Sequence, residues 1–425
     1  MKILIVTYGT QGDVRPYVAL GKGLQNAGHQ VILGTSERFR EFVLKHGLEY
    51  GYMNDDLLAL IDSDQGRELI ENTTNIFEVV KQNIKLAKQI KPLQVALLRE
   101  TWKIAKSVKP DFILYHPKTG AAPHIAEKLD IGCALATPIP MFVPTSERPF
   151  MVLPDLKLGG WYNRLSYRII NRLTGIFLGK YIREFRKDID LPKLKKFDLL
   201  KSGDGKDIPV LHAFSEALFP RPADWPETAY ITGYWFLDRN KDWAPSDELQ
   251  TFLDAGTPPV YMGFGSIAGR NPQRLTKIVI QALQQTGLRG IIATGWGGLK
   301  PEDLPDSILK VESVPHDWLF PRVSAVVHHG GAGTTGAALR AGKPSVIVPF
   351  FGDQPFWGRL VHQLGTGTKP IPQKKLTAVN LANALLDVVS NPDIRKKTEK
   401  TGNKIRQEDG VGNATKIVEK LIINA

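Results

Sequence analysis

One turn in the second half of the chain gathers the densest set of anion-binding groups. His328-His329-Gly330-Gly331-Ala332-Gly333-Thr334-Thr335 follows a short apolar run, Ser324 to Val327, and precedes a helix expected from about Gly333 to Ala341. Glycines without Cβ atoms let the backbone approach a ligand closely. The first N–H groups of a helix have no partner inside it and point outward, with the positive end of the helix dipole behind them. Phosphate suits such a place. Two imidazoles and two hydroxyls add side-chain donors, so the turn reads as a cradle for a diphosphate.

Three other turns carry candidate groups. Gly9-Thr10-Gln11-Gly12-Asp13-Val14-Arg15-Pro16 follows the first apolar run, and Asp13 is its only carboxylate. Its spacing fits a general base at the mouth of a sheet or a cap on a helix beginning at Pro16, and does not choose between them. Gly263-Phe264-Gly265-Ser266 brings Ser266 to a phosphate or is an ordinary tight turn. In Pro349-Phe350-Phe351-Gly352-Asp353-Gln354-Pro355-Phe356-Trp357, the Asp353 and Gln354 pair suits bidentate contact with neighbouring hydroxyls, as on a hexose. Asp353 also suits a helix cap. The Gly9 turn is not a dinucleotide fingerprint, because its glycine spacing differs, and there is no Walker loop: Gly336 to Gly342-Lys343 has one residue too many between its glycines, and Pro344 stands where Ser or Thr is needed.

Apolar runs alternating with helical patterns must hold these turns. Strands are expected at 2–7, 30–33, 111–115, 132–136 and 210–214, then again at 259–264, 289–293, 324–327 and 345–348. Helices are expected from Pro16 to Ala27, Pro272 to Gln285, Gln354 to Leu364 and Ala378 to Val389. This rhythm implies an α/β protein with parallel sheets covered on both faces, whose ligands bind beyond the carboxyl ends of the strands. Its 425 residues suit two domains. We expect a first Rossmann-like domain over 1–220 and a proline- and aromatic-rich linker over 221–245. A second Rossmann-like domain follows over 246–400, and a helical tail, 401–425, is expected to pack back on the first domain.

Fifty-five Lys and Arg against 43 Asp and Glu give a net charge of +12, which favours anionic partners. No recognition motif for nucleic acid accompanies that surplus, so nucleic acid is not an expected partner. The single cysteine, Cys133, excludes an intrachain disulfide framework, suits a cytoplasmic protein and reads as a core residue. No apolar run reaches the ~18 residues of a membrane span. Between Gly160 and Lys196, aromatic and aliphatic residues interleave with Arg164, Arg168, Arg172 and further basic residues. The pattern suits contact with an anionic membrane surface or a pair of surface helices packed on the domain.

Taken together, His329-Gly330-Gly331-Ala332-Gly333-Thr334-Thr335, Phe350-Phe351-Gly352-Asp353-Gln354-Pro355-Phe356-Trp357-Gly358 and the Gly9 to Pro16 turn resemble family 1 glycosyltransferases. The likeness is greatest to the sterol 3-β-glucosyltransferase branch and its bacterial relatives, and Val314-Pro315-His316-Asp317-Trp318-Leu319-Phe320 is similar to that branch's base-binding loop. The resemblance implies the GT-B fold, two face-to-face Rossmann-like domains with a shared cleft, the first (1–220) acceptor-binding and the second (246–400) nucleotide-sugar-binding. It implies an inverting hexosyl transfer from a nucleotide sugar, UDP-glucose above all, with no cofactor and no metal. Asp13 takes the position of the catalytic base. His329, Gly331, Gly333, Thr334, Thr335 and Ser266 take the diphosphate, Val314, His316 and Trp318 the base, and Asp353 and Gln354 the glucose hydroxyls. Gly12, His116, His124, Met141 and Phe142 are the acceptor-side candidates, facing a lipophilic small molecule such as a sterol or other polycyclic or isoprenoid alcohol. The Asp62-Ser63-Asp64 and Asp188-Ile189-Asp190 triplets do not follow expected strands and read as caps or solvated turns. A nucleotide-sugar epimerase, a glycosyl phosphorylase and a non-catalytic nucleotide-sugar or lipid-binding protein are the competing readings.

Overall fold

Lys2-Ile3-Leu4-Ile5-Val6 is almost wholly buried, which a strand achieves only at the centre of a sheet covered on both sides. The computed structural model describes residues 1–63, 76–194, 197–240, 242–265, 272–293 and 304–424, with backbone alone at 76–88 and 272. Ser266 lies outside the described residues.

The first sheet has the order β3-β2-β1-β4-β5-β6-β7, every pair parallel. Its strands are β1 (Lys2–Val6), β2 (Gln30–Ser36), β3 (Glu49–Met53), β4 (Phe112–Tyr115), β5 (Gly132–Thr137), β6 (Val210–His212) and β7 (Ala229–Ile231). The helices among them are α1 (Gln11–Asn26), α2 (Arg40–Lys45), α3 (Asp56–Asp62), α4 (Ile76–Val108), α5 (Ala122–Leu129) and α6 (Gly160–Asp188). The second sheet is also parallel, in the order β10-β9-β8-β11-β12. It comprises β8 (Val260–Gly263), β9 (Gly290–Ala293), β10 (Ile308–Val311), β11 (Ala325–His328) and β12 (Ser345–Ile347). Its helices are α7 (Asp247–Asp254), α8 (Pro272–Thr286), α9 (His316–Leu319), α10 (Ala332–Arg340), α11 (Gln354–Gln363), α12 (Ala378–Ser390) and α13 (Pro392–Arg406). A last helix, α14 (Gly410–Ile423), belongs to the first unit. Apolar cores cover both faces of the second sheet, one against α8 and α12, the other against α9 and α10.

Contacts divide the chain into two compact units. The first holds Met1–Phe214, Arg221–Trp235 and Asp409–Ala425; the second holds Ser215–Pro220 and Phe236–Glu408. The expected linker 221–245 is thus not a linker throughout: its first part supplies β7, an edge strand beside β6. The expected tail divides too, because α13 packs on α10 while α14 lies along α1. A Cβ on Gly23 of α1 would fall 2.2 Å from the Val411 side chain, so α1 and α14 approach closely there and a larger residue would force one of them to shift.

Two other elements differ from expectation. Helix α1 starts at Gln11, with Pro16 inside it, because Thr10 and Asp13 form a capping box that begins the helix a turn and a half earlier. Residues 160–188 form one helix of 29 residues rather than a pair.

Strand register fixes which turns meet. Val6 pairs with Tyr115, so the turns after β1 and β4 open side by side. In the second sheet His328 pairs with both Gly263 and Ile347, which brings the turns after β8, β11 and β12 together.

Candidate functional site

In the first unit the site is built around Asp13. Gly9 precedes it with φ +146°, and a Cβ there would fall 2.1 Å from Asp13 Oδ2, so the side chain occupies the space a larger residue would fill. The Thr10 backbone N–H donates to Asp13 Oδ2 at 2.7 Å and the Thr10 hydroxyl donates to it at 3.1 Å. Lys118 Nζ donates to the same oxygen at 2.9 Å. His116 Nε2 lies 3.3 Å from Oδ1. The carboxylate is therefore both a helix cap and a charged group in a polar frame, so the two readings of Asp13 do not exclude each other.

The imidazole's role follows from its other nitrogen. The Lys118 backbone N–H donates to His116 Nδ1 at 3.2 Å, so Nδ1 carries a lone pair and the ring proton resides on Nε2, facing Asp13. Burial outweighs the Asp13 charge and lowers the His116 imidazole, which is neutral near pH 7. At Asp13 burial works against the charge, but the Lys118 ammonium and the His116 hydrogen bond win and hold the carboxyl well below the usual carboxylate range. Thr10 N, Thr10 Oγ1 and Lys118 Nζ converge on Oδ2, while Oδ1 faces His116 Nε2. Each carboxylate oxygen has about two lone-pair sites. A hydroxyl that takes Oδ2 must displace one of its three donors, and the Lys118 side chain, 53% exposed, yields most cheaply.

His116 is thus a buried partner of Asp13 rather than a surface facing an acceptor. His124, also expected on the acceptor side, is 2% exposed and belongs to a structural network. Its Nδ1 lies 3.0 Å from Arg186 Nη1, and the buried Arg186 pairs with Glu127 through both terminal nitrogens. Phe142 is buried with φ +69°, its carbonyl accepting from Asn171 Nδ2 at 2.9 Å. Phe142 and His124 line a small, partly open cavity of about 20 Å³ with Tyr115, Pro117 and Phe197. Met141 is half-buried and Gly12 exposed beside Asp13.

In the second unit β11 delivers His328 and His329 to the start of α10. His328 is fully buried, and its Nδ1 accepts from the Gly330 N–H at 3.1 Å, which shapes the turn from within. Gly330 adopts φ +91°, and a Cβ there would lie 2.7 Å from Ile347 Cγ2 and 3.0 Å from the Gln354 carbonyl. The His329 ring lies over the helix start: a Cβ on Gly331 would fall 2.5 Å from its Nε2. Burial lowers the His329 imidazole to about 4, leaving it neutral, and its Nδ1 is buried without a partner among the described residues. Gly333 is exposed with nothing near its missing Cβ, and Thr334 is half-buried. Thr335 differs from its expected role: it is fully buried, and its hydroxyl donates to the Gly331 carbonyl at 2.9 Å, closing the first helical turn.

The remaining candidates are largely committed to packing. The Gln354 side-chain oxygen accepts from the Phe350 and Phe351 N–H groups at 2.7 and 3.3 Å, leaving its NH₂ for a ligand. Asp353 precedes α11 and accepts from Trp357 Nε1 at 2.8 Å. Trp318, expected at the nucleotide base, is 6% exposed and packs against Trp243, with Arg322 4.3 Å from its ring centroid. It supports the loop from beneath. Val314 and His316 are half-buried, and the His316 ring stacks on Phe320 at 4.2 Å. Of the acidic triplets, Asp62 pairs with Arg38 and Asp188 with Arg99, and Asp64 lies outside the described residues.

Lys118 and Thr10 are the site residues that motif reading missed. Lys118 stands 105 positions from Asp13, and only the pairing of β1 with β4 brings them together.

Residues 3–145 match the glycosyltransferase family 28 N-terminal domain, and residues 295–422 match the erythromycin biosynthesis protein CIII-like C-terminal domain. A sterol 3-beta-glucosyltransferase of Arabidopsis thaliana is 38% identical over 434 residues, covering 100% of this chain and 66% of the relative. A second from the same plant is 34% identical, covering 97% of this chain and 67% of the relative. One from Saccharomyces cerevisiae is 35% identical, covering 97% of this chain but 34% of the relative. The chain thus spans from about a third to two thirds of the length of these relatives. Among solved structures, the glycosyltransferase of kitacinnamycin superposes with a TM-score of 0.74 at 17% identity, covering 99% of each chain. The spinosyn rhamnosyltransferase complexed with thymidine diphosphate gives 0.65 at 18% identity, covering 99% of this chain and all of the other. These likenesses establish the GT-B fold, and the sequence relatives establish the branch: the chain belongs to the family of the sterol 3-beta-glucosyltransferases.

Proposed function

We propose that this chain transfers a hexose, glucose from UDP-glucose, with inversion to the hydroxyl of a sterol or related polycyclic or isoprenoid alcohol. The observation that carries the reading is the charged Asp13 carboxylate held between His116 and Lys118. The acceptor hydroxyl replaces Lys118 on Asp13 and attacks the anomeric carbon of the sugar. As the new C–O bond forms, the hydroxyl proton passes to Asp13, and the bond from the anomeric carbon to the diphosphate oxygen breaks. A carboxyl at or below roughly 3.9 is too weak a base to take an alcohol's proton in advance, so proton transfer trails bond formation. His116 cannot receive that proton while Nδ1 is engaged by the Lys118 N–H. Its part is to hold Asp13 in place and charged.

The departing diphosphate receives its stabilisation from the free N–H groups at the start of α10, from Thr334 and from His329. Asp353 and the Gln354 NH₂ hold sugar hydroxyls, and the half-buried His316 and Val314 border the nucleotide base. In this reading the positive charge that a metal would supply comes from the helix terminus, and transfer proceeds under chelator. A lipophilic acceptor resides in membranes, so the function includes a cytoplasmic station at an anionic membrane surface. The direct test is incubation with UDP-glucose and a dispersed sterol, followed by mass spectrometry. A sterol β-glucoside is the expected product; hydrolysis of UDP-glucose without any glycosylated lipid would refute the reading.

A further inference from the structure

Helix α6 presents a face that the fold leaves uncovered. Trp161, Leu165, Ile169, Leu173 and Phe177 recur every four residues along it, each between 40% and 65% exposed. The opposite face, with Tyr167, Ile182 and Phe185, is buried and holds the helix to its unit. The exposed row is therefore not the stripe that anchors the helix. The preceding loop adds Val152, Leu156 and Leu158, each about half exposed. Contiguous apolar surface of this kind marks an interaction site.

A second row runs beside the first. Arg164, Arg168 and Arg172 are spaced by four and sit three positions from the apolar residues, on the adjoining flank of the helix. Arg164 is tied to Asp224 at 2.9 Å. Arg168 and Arg172 are exposed and have no carboxylate partner among the described residues. The acidic residues of α6 lie at its far end, where Glu184 pairs with Lys91 and Asp188 with Arg99. Sixteen steps of 1.5 Å from Trp161 to Phe177 give a row about 24 Å long, a helix suited to lie flat at an interface rather than to cross it. No helix among the described residues is long and apolar enough to span a membrane.

We propose that this face docks on an anionic lipid bilayer, the apolar row entering the acyl boundary while Arg168 and Arg172 rest on lipid phosphates. The charge pattern selects this occupant. A second copy of the chain would set these arginines against their own counterparts, on a molecule already carrying +12. The docking deepens the proposed membrane contact and is independent of the transfer chemistry.

The test is co-sedimentation with phosphatidylcholine vesicles, with and without a minority of phosphatidylglycerol. The full chain should bind the anionic vesicles. R168Q/R172Q should weaken binding about 25-fold, at roughly fivefold per basic residue. K396Q/K400Q, the same charge change on exposed positions of α13, should leave it unaltered. An environment-sensitive fluorophore on I169C in a C133S background should move to an apolar environment on anionic vesicles. Absence of binding, binding indifferent to R168Q/R172Q, or a fluorophore that stays in water would overturn the proposal. So would a lipid-free dimer that I169D/L173D converts to monomer, since a second copy would then cover the face. Transfer to a detergent-dispersed sterol separates the two ideas: R168Q/R172Q should retain it while losing vesicle binding. Joint loss would assign the arginines to the fold or the reaction and not to lipid.

Discussion

Replacing Lys118 with Met tests whether that ammonium masks the carboxylate it touches. At 2.9 Å, two unit charges in an effective dielectric of about 20 attract by about 6 kcal/mol. The Lys118 side chain is 53% exposed, and water screening reduces the net effect to about 1 kcal/mol, or roughly fivefold in affinity. The acceptor KM should fall several-fold, because the hydroxyl no longer competes with an ammonium for Oδ2. Steady-state transfer at neutral pH, with a soluble sterol analogue as the varied substrate, reads it. A raised acceptor KM would mean that Lys118 contacts substrate, and would refute the displacement reasoning.

The other expectations concern the second unit and acid stability. His329→Ala should reduce kcat by about 10²–10³-fold, the range for loss of one donor to a developing anion, read in single-turnover assays; an unchanged kcat would remove His329 from leaving-group stabilisation. Gly330→Ala must adopt φ +91° and place its Cβ 2.7 Å from Ile347 Cγ2, so urea unfolding should show a loss of about 1–3 kcal/mol; an unaltered midpoint would contradict the turn geometry. Burial holds the fully buried His212 near about 4, and His329 is depressed in the same direction. The unfolded chain takes up these protons below roughly 6.5 while the folded chain does not until about 4, so their contribution is complete above that window and lost as pH falls through it. His212 alone should cost about 2 kcal/mol at about pH 5, and stability that rises on acidification across this range would refute the assignment.

The fold was legible wherever burial on both faces left continuous apolar runs, as in β1, β4 and β11. Strand β3 (Glu49–Met53) was not, because Tyr52 points to solvent and the strand lies at the sheet edge. Strand β7 hid in a proline-rich stretch whose composition reads as a connection. At the site, Asp13 and the glycine turn before α10 were visible because their backbone chemistry is local. The partners were not. Lys118 reaches Asp13 through strand register, and the buried states of Trp318, Thr335 and His124 depend on packing that residue type does not encode. The same indole, hydroxyl or imidazole serves a ligand or a core, and the neighbours decide which.

Single-turnover transfer by Asp13→Asn, with UDP binding measured alongside by calorimetry, tests the role of the carboxylate most directly. The amide keeps the shape but loses the charge that receives the proton. Turnover should fall by about 10²–10⁴-fold while nucleotide affinity stays within a factor of about two. Transfer at the wild-type rate would contradict the assignment of Asp13 as the base.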